Sequence, residues 1–238
     1  MDNLKGMNFD PHVSVDCVVF GYDGSQLKVL LATKSDEAPE LEYNNVKLPG
    51  RLLRVNEDLD EAANNIVSQL AGSRHPYMHQ FRAFGSPNRT SDPKDVLWLE
   101  NATKQKIGRI VTIAYLSLIR ITNRTKSAFG DSPVEWFPVN EIPRLAFDHN
   151  EIIEAALREV QRLSQIRPQL VFEMLPPRFT ALQVRHLFEQ IQRRELDARN
   201  FAKLVLSKPW IIPLDEWETG VSHRSARYYK FQANKVKK

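Results

Sequence analysis

Six apolar side chains, Leu59, Ala62, Ala63, Ile66, Val67 and Leu70, recur at helical spacing within one short stretch. They draw a single stripe along a helix, and a stripe of that width must pack deeply into the protein's own core. The neighbouring segments supply the cover. Residues 13–20 and 27–32 are apolar runs separated by Tyr22-Asp23-Gly24-Ser25, and Asp-Gly between two such runs is the strongest short signal for a hairpin. Residues 35–46 are polar and contain proline, which makes them a loop ahead of the helix. Residues 81–84 and 110–121 read as further strands. The second is apolar on both alternating faces, so it belongs at the centre of a sheet covered on both sides. Residues 135–139 give one more short strand.

Between the strands at 81–84 and 110–121 runs a long polar connection, residues 86–109, with Val96-Leu97-Trp98-Leu99 inside it. Connections of this length usually carry function or lack order. Its exposed apolar residues would be a liability, so the extra segment 94–108 is a candidate for a lid or a dimer contact. Further on, Asp148 offers an N-cap with Glu151 three residues later, and Ile152, Ile153, Ala156, Leu157 and Val160 follow at helical spacing.

Residues 165–177, with Pro168, Pro176 and Pro177, end that helix and read as a linker. Beyond it Thr180 caps a helix running to about Arg193, with Leu182, Leu187, Phe188 and Ile191 inward. Asp197 caps a second, from Ala198 to about Ser207, with Phe201, Leu204 and Val205 inward. Residues 210–214 and 227–231 are then two strands joined by a polar turn through Gly220. Helix, turn, helix and hairpin is the layout of a winged helix-turn-helix.

The net charge of +4 is unevenly placed. Residues 174–238 hold 13 Lys and Arg against 6 Asp and Glu, whereas the remaining residues hold 20 basic against 23 acidic side chains. A basic module joined to a slightly acidic one directs only the C-terminal part to a polyanion. The single Cys17 lies in an apolar run, which excludes a disulfide framework or a cysteine metal site and suits a reducing cytoplasm. No apolar run approaches the length of a membrane span, and residues 1–8 lack the apolar core of a secretory signal.

Residues 48–72 resemble the signature of the Nudix hydrolases, which runs Gly, five residues, Glu, seven residues, Arg-Glu, an apolar residue, any residue, Glu-Glu, any residue, Gly. With Glu57 as the first acid and Gly72 as the closing glycine, Arg51 takes the opening Gly, Asn65 and Ile66 the Arg-Glu pair, and Gln69 and Leu70 the Glu-Glu pair. Those glutamates hold Mg²⁺ or Mn²⁺ in the enzymes. Hard cations need anionic oxygen ligands, and Ile and Leu offer none. Other segments extend the likeness: Val15-Asp-Cys-Val-Val-Phe-Gly, Phe84-Gly, Arg109-Ile-Val-Thr-Ile-Ala-Tyr, Leu145-Ala-Phe-Asp-His149, Leu175-Pro-Pro-Arg-Phe-Thr180, Leu196-Asp-Ala-Arg-Asn-Phe201 and Arg224-Ser-Ala-Arg-Tyr-Tyr-Lys-Phe231. Taken in order, they resemble the Nudix-related transcriptional regulators, and within these the branch that governs sugar catabolism in the Bacteroides group. Two departures stand out, Arg51 for a family glycine and a longer connection between Asp92-Pro93 and Arg109.

The resemblance implies an α+β protein. A Nudix-like α/β/α sandwich occupies residues 1–167, and the linker and winged helix occupy 168–238. It implies a cytoplasmic, homodimeric regulator of double-stranded DNA, free of cofactor and metal and not an enzyme. Such a regulator senses a sugar, sugar phosphate or nucleotide-linked sugar. On the second helix of the winged module Arg199, Asn200 and Lys203 face outward. Arg and Lys read guanine and Asn pairs with adenine, while Lys203 suits a phosphate contact. His223, Arg224 and Arg227 flank the wing, and Arg178 and Thr180 lead into the module. Either Tyr228 or Tyr229, alternating on one strand, belongs to the core.

Glu57 serves structure or complements the helix N-terminus. Arg51 and Arg54 either bind an anionic ligand or pair with Glu57 in place of the metal's charge. Phe84, Arg89 and His149 border the pocket by family analogy, although His149 could equally cover the helix start. The competing reading is a hydrolase of nucleoside diphosphate derivatives such as ADP-ribose, with its acids supplied from elsewhere, for example Glu100.

Overall fold

The structure is a computed structural model that describes residues 9–33, 46–71, 77–103, 108–122, 128–129, 132–220, 222 and 224–233. Its centre is strand β1 (Phe9–Tyr22), in which odd and even residues point to opposite faces. On one side β1 runs parallel to β6 (Val111–Arg120), from Val13 opposite Val111 to Tyr22 opposite Arg120. On the other side it pairs first with β4 (Gly50–Arg54) and then with β2 (Leu27–Thr33). The sheet is completed by β5 (Tyr77–Phe84) outside β6, β8 (Ser132–Pro138) outside β2, and short strands β3 (Val46–Lys47) and β7 (Ala128–Phe129). The β1–β2 turn is the expected hairpin. The Asp23 carboxylate accepts from the backbone N–H groups of Ser25 and Gln26, and Gly24 takes φ +103°, which only glycine adopts without strain.

Alternation along β1 sorts the core into two layers. Val15, Cys17 and Val19 meet Ala62, Ala63, Ile66, Val67 and Leu70 of helix α1 (Leu59–Ala71). Val18, Phe20 and Tyr22 meet Ile152, Ile153, Ala156, Leu157 and Val160 of helix α3 (His149–Ile166) on the opposite face. A sheet between two helices is the α/β/α sandwich.

The long connection after β5 contains a second helix, α2 (Pro93–Thr103), which the polar composition of 86–109 hid. Its Leu99 is buried with Ile110, against Leu52 and Phe147. Trp98 lies in this helix, but its side chain is outside the described residues, as are 104–107.

The expected linker is instead a buried 3-10 helix, Pro168–Met174, with Leu170, Val171, Phe172 and Met174 inside the core. Phe172 is the hub of the C-terminal module. Its ring lies 4.9 Å from Trp210, 5.5 Å from Phe231 and 5.6 Å from Phe179. Around it stand helices α4 (Ala181–Gln192) and α5 (Ala198–Leu206) and a three-stranded sheet. That sheet is built from β9 (Phe179–Thr180), β10 (Ile211–Trp217) and β11 (Arg227–Phe231) in the order β10-β11-β9. Two inward assignments fail: Leu182 is 46% and Leu204 61% exposed, because Val184 and Val205 take the buried positions.

This module docks on the sandwich through polar bonds as well as apolar ones. Gln190 accepts from the Leu27 N–H at 2.6 Å and donates to the Ser25 carbonyl at 2.8 Å. Gln192 donates to the Ser164 hydroxyl, and Arg193 pairs with Glu154 of α3 at 2.6 Å.

Candidate functional site

The opening of α3, strands β1, β3 and β4, and helix α2 enclose a cavity of about 370 Å³. Its floor is charged. Asp16 interrupts the apolar run of β1 and is buried, opposite Gly50 in β4. A Cβ at Gly50 would lie 2.0 Å from Asp16 Oδ1 and 2.7 Å from the Val15 carbonyl, so only glycine lets the two strands close there. The buried Arg89 donates through Nη2 to Asp148 at 2.8 Å and through Nη1 to the Ile110 carbonyl, and lies 3.9 Å from Asp16. His149 accepts at Nδ1 from the Leu48 N–H at 3.0 Å, and its Nε2 lies 3.7 Å from Asp16 Oδ2. Burial pushes the Asp16 carboxyl up, but His149, Arg89 and the Thr112 hydroxyl together outweigh it and hold it down at about 2. Lys47 at the rim is pushed down to about 8 by burial, partly offset by the attraction of Asp16.

The remaining wall is apolar: Phe9, Leu52, Leu99, Ile110 and Phe147. Phe147 has φ +56°, an uncommon conformation for a residue with a side chain. It is held there by Asp95 of α2, whose carboxylate accepts from its N–H at 2.9 Å, and its ring lies 5.3 Å from that of His149.

Arg51 and Arg54 line the same cavity. Arg51 grips Glu57 through both terminal nitrogens, at 2.6 and 2.5 Å, and Asn65 donates to the same carboxylate at 3.2 Å. These bonds, Arg51's first, hold the Glu57 carboxyl at about 2 although burial opposes them. Ile66 and Leu70 point into the core and Asn65 and Gln69 are exposed. The position offers one carboxylate, already paired, and does not fit a hard divalent cation. Among the described residues no three His, Cys, Asp or Glu converge on a common point.

Of the five ligand candidates, the structure brings Arg51, Arg54, Arg89 and His149 together. Phe84 is apart from them, a core residue under Arg82 that borders a neighbouring polar cavity of about 510 Å³. Asp148 does not cap α3 with its side chain, because that carboxylate is engaged by Arg89. Sequence reasoning missed Asp16, Lys47, Leu99, Ile110 and Phe147. Asp16 carried a signal, an acid in an otherwise apolar central strand; Phe147 carried none.

On the C-terminal module, Asp197 caps α5 by accepting from the Asn200 N–H at 2.8 Å, and Arg199, Asn200 and Lys203 stand exposed on the helix surface. Arg178 pairs with Glu216 at 2.7 Å and lies 4.9 Å from the Tyr228 ring, still largely exposed. Arg224 is exposed, and His223 lies outside the described residues. Arg227 is half-buried and braces the hairpin by donating from Nε to the Leu214 carbonyl at 2.6 Å. Thr180 is corrected outright. At 2% exposure its hydroxyl accepts from the Gln183 N–H in a capping box, so it is not a DNA-contacting side chain. Tyr228 and Tyr229 are both half-buried, with Tyr229 packed on the core. No helix among the described residues is long and apolar enough to cross a membrane.

Residues 171–231 match the family model of the NrtR DNA-binding winged helix domain. Over 225 residues the chain is 24% identical to the ADPR responsive transcriptional repressor NtrR of Acinetobacter baylyi, covering 93% of this chain and 82% of that protein. It superposes on Shewanella oneidensis NrtR complexed with a 27mer DNA with a TM-score of 0.69 at 23% identity, over 94% of this chain and 95% of that one. A MutT/nudix family protein from Enterococcus faecalis gives a TM-score of 0.64 at 22% identity, over 97% and 91%. The chain therefore has a Nudix-like α/β fold with a C-terminal winged helix, and that winged helix is of the NrtR type.

Proposed function

We propose that this protein is a transcriptional regulator whose Nudix-like domain is a receptor rather than a catalyst. It binds operator DNA through α5 and the β10–β11 hairpin as a two-fold dimer, one module per half-site. Its effector is a nucleotide-linked sugar of the ADP-ribose class, one of the three effector classes expected from the sequence, and it replaces the sugar-catabolism expectation. The Acinetobacter relative's ADPR responsiveness supports that choice. So does the cavity, which sets an apolar aromatic wall against a rim of Arg51, Arg54 and Lys47 and so suits a base and a diphosphate in one molecule.

The observation that carries the reading is this cavity standing at the start of α3, the helix on which the DNA-binding module docks. Arg89 ties the cavity floor to Asp148 at the head of α3, and Glu154 and Ser164 further along it hold Arg193 and Gln192. A ligand that moves the head of α3 acts on the module at its other end. It changes DNA affinity only as far as it prefers one arrangement over the other, typically by about 1–3 kcal/mol.

Titrating ADP-ribose in EDTA against a labelled operator tests the reading by fluorescence anisotropy. The expected result is an operator affinity that shifts about five- to a hundredfold. An unmoved affinity with the cavity occupied reduces the domain to a scaffold, and ADP-ribose turnover with Mg²⁺ or Mn²⁺ overturns the receptor reading.

A further inference from the structure

Phe147, at φ +56°, holds a backbone conformation that a bulky side chain keeps only where its surroundings over-determine it. They do so here. The Leu145 N–H donates to Asn150 Oδ1 at 2.8 Å, the Ala146 N–H to the Val46 carbonyl at 3.1 Å and the Phe147 N–H to Asp95 at 2.9 Å. The Asp148 carboxylate is held by Arg89, and His149 accepts from the Leu48 N–H. Every residue from 145 to 149 is thus anchored, and the positive φ falls on the one aromatic ring among the first four.

Backbone geometry alone would favour Gly or Asn at 147, since both adopt positive φ more readily. Nor is the ring closed off inside the core. It is half-buried, packed with Leu52, Leu99 and Ile110 in the cavity wall, 5.3 Å from the His149 ring. The strand register fixes which face of the sheet this is. Leu52 pairs with Ser14 and Gly50 with Asp16, so Leu52 shares the face of the cavity floor. On α2, Asp95 and Leu99 stand one turn apart, so one helix face supplies both the acceptor for the Phe147 N–H and a neighbour for its ring.

An aromatic ring in an apolar wall recognises a flat ring by stacking, and every nucleic base has such a face. The same cavity is lined by Asp16, Lys47 and Arg54, which suits a ligand that joins a base to charged groups rather than a purely apolar one.

We propose that Phe147 is the base platform of the cavity, the side chain on which a planar heteroaromatic base of the ligand stacks, and that Asp95 of α2 is its positioning residue. This deepens the receptor reading and rests on it for the identity of the whole ligand, but the platform itself is a claim about the base alone.

Calorimetric titration of the full-length protein with ADP-ribose, AMP and ribose 5-phosphate tests both levels, with a thermal melt confirming that each variant is folded. Phe147→Asn tolerates the positive φ and removes the ring. Phe147→Leu stays apolar without a ring face, and Phe147→Tyr keeps the ring. ADP-ribose and AMP are expected to bind the Asn and Leu variants about five- to a hundredfold more weakly, as for loss of one stacked base, and to bind the Tyr variant nearly as well as the wild type. Ribose 5-phosphate, which has no base, is expected to be indifferent to all three. Asp95→Ala is expected to weaken both nucleotides by a smaller factor and to add nothing in the Phe147→Asn background. Asp95→Asn, which keeps an acceptor oxygen, is expected to restore them.

AMP binding that depends on the ring without ADP-ribose binding keeps the platform and overturns the proposed effector. ADP-ribose binding indifferent to loss of the ring overturns the platform and keeps the effector. A loss for ribose 5-phosphate as large as that for AMP also overturns the platform. Binding of neither nucleotide overturns both readings. An Asp95→Ala effect that persists without the ring overturns the positioning role.

Discussion

Helices α1 and α5 each carry an apolar stripe and a polar face, and they are anchored in opposite ways. Five side chains of α1, from Ala62 to Leu70, are essentially inaccessible and fill the space between the helix and β1. Only Val205 of α5 is buried, with Phe201 half-buried 5.3 Å from Phe188. Two of α1's buried positions, Ile66 and Leu70, fall on glutamate positions of the Nudix signature that residues 48–72 resemble. As apolar residues they widen the stripe and contribute burial at about 25 cal/mol per Å². The surface of α5 went the other way. Arg199, Asn200, Lys203 and Leu204 remain in solvent, where they contribute little to folding and stay available to a partner. On the proposed function, a helix that folds its host and one that meets DNA are thus distinguished by where their side chains are committed, not by composition.

The sharpest way to break this contrast is to put an acid back into α1. Ile66→Glu places a carboxylate where 1% of the side chain is exposed, among apolar neighbours and without a partner. The expected loss of stability is about 5 kcal/mol, with no gain of Mg²⁺-dependent turnover. Urea unfolding measures it, and a variant as stable as the wild type would show that α1 is not packed as described.

Next in size is the joint between the regions. Phe172→Ala removes the ring that Phe179, Trp210 and Phe231 surround, at an expected cost of about 3–5 kcal/mol. Because Phe172 sits in the buried 3-10 segment, the C-terminal module is expected to melt before the sandwich in the variant. Fluorescence of single-tryptophan variants, one keeping Trp210 at the cluster and one keeping Trp136 on the sheet, follows the two separately.

These two sites also show what was legible in the sequence. The stripe of α1, the hairpin at Asp23-Gly24 and the helix-helix-hairpin order were readable, because periodicity and turn chemistry are local. Helix α2 was not, since the polar residues around Leu99 mask a short stripe that only Ile110, Leu52 and Phe147 complete. The prolines at 168, 176 and 177 suggested an exposed linker. What buries 168–174 is a set of aromatic contacts made with residues up to Phe231, which no local window contains. In the cavity, Arg51 and Arg54 came from the register on the Nudix signature, and Arg89 and His149 from family analogy. Asp16 and Phe147 depend on the approach of β4 and α2, set by tertiary packing.

On α5 the expected effects are on binding, not folding. Arg199→Ala or Asn200→Ala is expected to weaken operator binding by about 1–3 kcal/mol if the side chain makes a bidentate base contact, while denaturation midpoints stay unchanged. Lys203→Ala is expected to lower affinity on all sequences alike and to reduce the salt dependence by about one ion. Anisotropy at several salt concentrations, on operator and on scrambled DNA, distinguishes the two patterns. A melting temperature that falls with any of the three would place α5 on the same footing as α1.

The smallest effect gives the cleanest comparison, because the same chemistry starts both helices. The Asp58 carboxylate accepts from the Asp60 N–H at 2.9 Å at the head of α1, and that of Asp197 accepts from the Asn200 N–H at 2.8 Å at the head of α5. Either Asp→Ala change removes one charged cap, at about 1 kcal/mol. Around α1 the buried stripe holds the first turn in place, so Asp58→Ala is expected to register only in the denaturation midpoint. At α5 the lost bond belongs to Asn200 itself, and the helix's one buried side chain, Val205, lies in its last turn. Asp197→Ala is therefore expected to lower operator affinity by about as much as it lowers stability, since fraying and reading involve the same residues. Equal DNA affinity in the two variants would show that α5 is rigid without its cap. The recognition face would then be set by the hairpin behind it rather than by the helix's own start.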